Sequence, residues 1–188
     1  MPFHSSGNNV VYSSPTWTEK FVDTDIKVIP DANTYVKGSE DGTIKPFILT
    51  VGKYERCIGT INLVYSSDNN NEFAFRFITD DSASHGTGVS TVGASLDYGV
   101  TWLNDLSGSA ASDRIKGAMQ RSSSTPGVGP EISMDSGSGD YPYYAYIQFR
   151  VLNNTSSNAF LKFQARNFTD ATDEAEILVG SYIRYRKF

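Results

Sequence analysis

Histidine, cysteine and clustered carboxylates carry most enzymatic and metal chemistry, and this chain is sparing with them. Two histidines, His4 and His85, and one cysteine, Cys57, stand in 188 residues. A serine or cysteine nucleophile needs a base that is itself held by an acid, and neither histidine sits in such a motif. The run TDDSASHGTG puts Asp80, Asp81 and His85 within six positions, a conceivable metal set, yet its composition reads as a solvated loop. DSGSGD offers Asp135 and Asp140 beside glycines, without the alternating ligands and closing Glu of a calcium loop. STPGVGP lacks the Lys-Ser or Lys-Thr of a phosphate-binding loop. No catalytic set, metal or cofactor is therefore expected, and an enzyme is disfavoured. Cys57 has no disulfide partner and no CxxC spacing, and is expected to be a small buried strand residue.

The elements that position these residues read as strands. KPFILTV (45–51), YERCIGTINLVYSS (54–67), EFAFRFITD (72–80), YYAYIQFRVLNN (143–154), AFLKFQARNFT (159–169) and AEILVGSYIRYRKF (175–188) are rich in aromatic and β-branched residues. Period two places Phe73, Phe75 and Phe77 on one face and Glu72 and Arg76 on the other. In FLKFQAR, Leu161, Phe163 and Ala165 point one way, and Lys162, Gln164 and Arg166 the other. Both strands are expected to be half buried, so that Phe75→Asp is severe and Arg76→Ser nearly silent. Linkers such as SSDNNN and NNTSSN suit antiparallel hairpins, and the Asn-x-Thr triplets at Asn153 and Asn167 read as turn residues. Residues 82–142 hold ten of the 16 glycines and are expected to form shorter strands and long surface loops.

These features point to an all-β fold, an antiparallel β-sandwich or jelly roll. A single domain spans 20–188, after an N-terminal arm, 1–19, that either lies extended on a neighbour or frays. The net charge of −5 suggests no nucleic-acid partner. The N-terminus shows no export signal, and no run suits a membrane span.

Residues 95–102, SLDYGVTW, fit the Asp-box pattern found on hairpins of sialidase propellers, with Ser95, Asp97, Gly99, Thr101 and Trp102 in register. The box is expected to be a hairpin device in which Gly99 permits positive φ and Trp102 packs on a core. One copy in so short a chain does not make a propeller.

The two ends carry a wider resemblance. KPFILTVGKYERCIGTINLVYSS with EFAFRF, and AFLKFQARNFTDATDEAEILVGSYIRYRKF, look like the small jelly-roll proteins of tailed-phage virions. In that group a Leu-x-Phe-x-Ala-x-Asn strand, here Leu161, Phe163, Ala165 and Asn167, leads to a closing strand headed by Gly180, Ser181 and Tyr182. The resemblance implies a tumour-necrosis-factor-like homotrimer. Its implied role is a capsid decoration (cement) protein on the outer head surface, bound to the major capsid protein and assembled in the host cytoplasm. It also admits a head-fibre or tail-fibre domain that binds a host receptor or surface glycan.

The closing stretch GSYIRYRKF resembles a basic tail, but residues 170–188 carry four acids against three bases, so a phosphate-binding arm is excluded. It reads as a final strand with one side on the core and one on a neighbour. Phe3, Tyr12, Trp17, Tyr182, Arg184, Tyr185, Arg186 and Phe188 are the candidate subunit or capsid contacts. Trp102, Tyr141, Tyr143 and Tyr144 are the stacking candidates if a glycan is bound.

Overall fold

The structure, a computed structural model, describes residues 16–28, 35, 43–67, 72–82, 94–104, 114–121, 128–135, 142–167 and 175–188. Twelve strands lie among them, in chain order β1 (Thr18–Phe21), β2 (Ile26–Lys27), β3 (Leu49–Val51), β4 (Arg56–Ser67), β5 (Glu72–Asp80), β6 (Ser95–Asn104), β7 (Arg114–Arg121), β8 (Ile132–Asp135), β9 (Tyr143–Leu152), β10 (Ala159–Asn167), β11 (Ala175–Ile177) and β12 (Tyr182–Lys187). The larger sheet runs β1-β12-β4-β9-β6-β7, with β11 pairing both β4 and β2 at its margin; the smaller runs β3-β10-β5-β8. The strand pairs are antiparallel. The fold is all-β, two sheets around one apolar core.

Aromatic rings join the sheets. Phe77 of the smaller sheet meets Phe149 and Tyr98 of the larger at centroid distances of 5.4 and 5.0 Å, and Phe73 meets Tyr65 at 4.8 Å. Phe75 stacks on Phe163 at 5.2 Å. Burial of each such ring contributes about 1.5 to 3 kcal/mol. Gly59 in β4 is required by this packing, because a Cβ there would lie 2.5 Å from the Phe149 ring and 2.6 Å from the Arg184 carbonyl oxygen.

Several expected elements differ. Lys45–Phe47 is a short 3-10 turn rather than strand, since Pro46 cannot donate to a ladder. The stretch 175–188 is two strands, divided where Gly180 adopts φ +97°. There the Ser181 Oγ stands in for a strand partner, accepting from the Val64 N–H (2.9 Å) and donating to the Val64 carbonyl (3.0 Å). Thr18 and Glu19, assigned to the arm, open β1 and pair with Tyr185 and Arg184.

The Asp-box stretch is not a hairpin. It lies within the ten-residue β6, where Asp97 and Gly99 face Arg150 and Gln148 of β9. Alternation prevails over the turn residues, because Leu96, Tyr98, Val100 and Trp102 are all buried on the core. Asp97 accepts from the Arg150 guanidinium instead of capping a turn. The Asn153 triplet does serve a turn. Its buried amide donates to the carbonyls of Gly52 and Ser157 at 2.9 and 2.8 Å and accepts from the Thr155 N–H and hydroxyl.

Candidate functional site

A sandwich has two outer faces, and here they differ. On the smaller sheet the outward side of β5 and β10 carries Arg76, Asp80, Lys162, Gln164 and Arg166 beside Ala74 and Ile78, and it is covered. Lys162 is 0% exposed and donates from Nζ to Asp80 Oδ2 at 2.6 Å. Arg166 makes two bonds to the Glu131 carboxylate, each of 2.7 Å. Arg76 donates from Nε to Gln164 Oε1 at 2.8 Å and lies over the Tyr35 ring at 4.1 Å, with Arg166 over the same ring at 5.3 Å. Burial, and then the Glu131 charge, push the Tyr35 hydroxyl upward. Burial alone would raise Glu131, but its bonds to Arg166 and the charge of that guanidinium hold it below the ordinary carboxylate range. The expectation of half-buried β5 and β10 is corrected: both sides of each are covered, because charge partners from distant segments occupy the polar side.

The outer face of the larger sheet is open, and its strand register sorts it into rows. One row carries Arg186, Ile58, Arg150 and Asp97 across β12, β4, β9 and β6. The next carries Glu19, Arg184, Thr60, Gln148 and Gly99, and the third Phe21, Tyr182, Asn62, Tyr146 and Thr101. Val64 and Tyr144 pair in the fourth, and Ser66, Glu176 and Lys27 follow across β4, β11 and β2. Neutral aromatic, amide and hydroxyl groups therefore form a band between the arginine rows and the row of Glu176 and Lys27.

In the arginine rows, Arg184 and Arg186 both lie over the Trp17 ring, at 4.8 and 4.9 Å, and Arg186 lies over Phe188 at 4.8 Å. Arg184 also reaches Glu19 Oε1 at 3.4 Å. The Arg186 Nε is buried without a hydrogen-bond partner among the described residues. In the neutral band, Phe21 packs on Tyr182 at 5.5 Å. Beside them Tyr144 and Tyr146, 53% and 41% exposed, border a shallow depression of about 210 Å³.

The structure thus brings Trp17, Tyr182, Arg184, Arg186 and Phe188 onto one surface. Tyr185 is not part of it: its side chain turns inward beside Ile183 and packs against the core. Tyr143 is also corrected. It is buried against Tyr65 at 5.7 Å and offers no stacking face, while Trp102 is only 7% exposed. Phe3, Tyr12, Tyr141, His4, His85 and Asp140 lie outside the described residues, and Asp135 closes β8. Asp80 is engaged by Lys162 and accepts from the Asp81 N–H at 2.7 Å. Among the described residues no three His, Cys, Asp or Glu side chains are placed to hold a metal. Cys57 is buried as expected, and burial pushes its thiol up to about 12, so it is protonated at neutral pH. Sequence reasoning missed Phe21, Tyr146, Arg150 and Asn62; counting alternation outward from the buried Tyr143 would have found Tyr146.

The sequence matches no family model and no curated protein. Among solved structures, the VP2 subviral particle of infectious bursal disease virus overlaps 97% of this chain and 40% of its own, at 10% identity and a TM-score of 0.20. A structure of the Gx strain of that virus overlaps 99% and 44%, with the same identity and score. The chain spans about two fifths of the length of the proteins it matches.

Proposed function

We propose that this chain is a structural protein of a virus particle. Within that class we assign it to the capsid decoration proteins of tailed phages: a homotrimeric jelly roll that binds the outer head surface and reinforces junctions between capsomers. The motifs at the two ends of the chain support the class. The observation that carries the assignment is the exposed strip on β1 and β12, where two arginines share the Trp17 ring and the Arg186 Nε awaits an acceptor. Arginine and aromatic side chains are the residues that protein interfaces concentrate, and they supply most of the binding energy there. An acidic loop of a neighbouring subunit would pair with these guanidiniums, and the homotrimer so formed binds the major capsid protein. Subunit association that favours only the folded form adds stability by mass action.

Sedimentation with emptied, expanded heads tests the assignment. The protein is expected to travel with the particles and raise their disruption temperature, and Arg184→Glu with Arg186→Glu is expected to abolish both. A protein that neither binds heads nor stabilises them removes the decoration role.

A further inference from the structure

We propose that the neutral band of the larger sheet's outer face binds an uncharged oligosaccharide, laid across the strands from Tyr146 toward Tyr182. The inference goes beyond the decoration role and does not depend on it.

Tyr144 and Tyr146 alternate outward on β9, about 7 Å apart by strand geometry, and both are exposed. Directly across from Tyr146, Asn62 stands on one flanking strand and Thr101 on the other. Exposed rings with an amide and a hydroxyl at their edges match a sugar, whose faces carry C–H groups to stack and whose rim carries hydroxyls to bond. Charge selects the occupant. Among the described residues no Asp, Glu, Lys, Arg or His lines the depression; Arg184 stands one row from Tyr146, Arg186 and Arg150 two rows, and Glu176 one row beyond Tyr144. A phosphate or acidic glycan would be drawn to the arginine rows and repelled by Glu176, so the ligand suited to the band between them is neutral.

Two further observations point the same way. The depression, about 210 Å³, is smaller than the roughly 300 to 1,000 Å³ clefts that enclose drug-sized ligands. That size suits a ring stacked on a surface. Two strands farther, about 10 Å away, the Phe21–Tyr182 pair gives a second platform on the same row.

The test is a printed array of neutral and acidic glycans probed with the full chain. Calorimetric titration with neutral hexasaccharides of glucose, mannose, galactose and N-acetylglucosamine follows. At least one neutral glycan is expected to bind saturably. Tyr146→Ala should weaken it about tenfold, the loss typical of truncating an aromatic anchor, and Asn62→Ala several-fold. Arg186→Ala should leave it within about twofold, being a rim change. Because Tyr146 is exposed, the melting temperature and the oligomeric mass should not move, which separates this test from that of assembly. The proposal is overturned if no neutral glycan binds, if Tyr146→Ala binds as well as the parent, or if acidic glycans are preferred and Arg150→Ala abolishes them. It is equally overturned if Tyr146→Ala removes binding to phage heads and to no sugar.

Discussion

Strands β9 and β10 follow one another in the chain, are ten and nine residues long, and alternate apolar with polar residues in much the same way. Their polar sides meet opposite fates. On β9 Tyr144, Tyr146, Gln148 and Arg150 are exposed in strict alternation, whereas on β10 Lys162, Gln164 and Arg166 are as buried as the phenylalanines behind them. Alternation therefore reports which side of a strand is polar, and only the rest of the chain decides whether that side faces water or a paired charge. The smaller sheet finds its partners within the molecule, in Asp80, Glu131 and Tyr35. The larger sheet leaves rings and guanidiniums uncovered.

The comparison is tested first where both sheets share a core. Phe75→Asp places a charge among Phe163, Phe77 and Tyr98, and the variant is expected not to fold, read by circular dichroism and by loss of a cooperative melt. Next comes the buried pair. Lys162→Ala leaves Asp80 without its cation and should cost about 3 to 5 kcal/mol in urea unfolding. Gln148→Ala, at an exposed position of β9, should stay within about 0.5 kcal/mol. Equal costs would end the distinction between the two faces.

Arg76→Ser sharpens it further. Alternation alone makes the change silent, but the guanidinium bonds Gln164 and covers Tyr35. A loss of about 1 to 2 kcal/mol is now expected, against about 0.5 kcal/mol or less for Arg150→Ser on the open face. The smallest effect is a pH dependence. Glu131 is held below its ordinary value of 4.5 in the folded state, so its contribution is present above that value and is lost as pH falls through the lower folded one. The melting temperature of Glu131→Gln should thus lie below the parent's at pH 7 and converge with it on acidification below about pH 4. A gap that holds constant with pH would show that the carboxylate charge is not what Arg166 uses.

Much of the architecture was legible because aromatic alternation is a local signal. Phe73, Phe75 and Phe77, Leu161 and Phe163, and the outward Arg184 and Arg186 all stand where period two puts them. The buried charge layer was not legible, since its pairs lie far apart in the chain, 82 residues between Asp80 and Lys162 and 35 between Glu131 and Arg166. The division of 175–188 was partly readable, for Gly180 and Ser181 name the break, but only the Ser181 bonds to Val64 explain why β4 tolerates it. The Asp box misled because its turn residues were weighed above the apolar alternation of Leu96, Tyr98, Val100 and Trp102. Within the candidate site, Trp17 and its two arginines were named in advance. Tyr143 stands one residue out of phase with the open face, which Tyr144 and Tyr146 share.

The central claim is that the open face, with its strip of Trp17, Arg184 and Arg186, is where the protein meets its neighbours. Light scattering on a sizing column measures this directly. The parent chain should elute with three times its 20.6 kDa mass, and Arg184→Glu with Arg186→Glu should elute as a monomer with an unchanged far-ultraviolet spectrum. A parent that is monomeric at every concentration, or a double variant that remains trimeric, would contradict it.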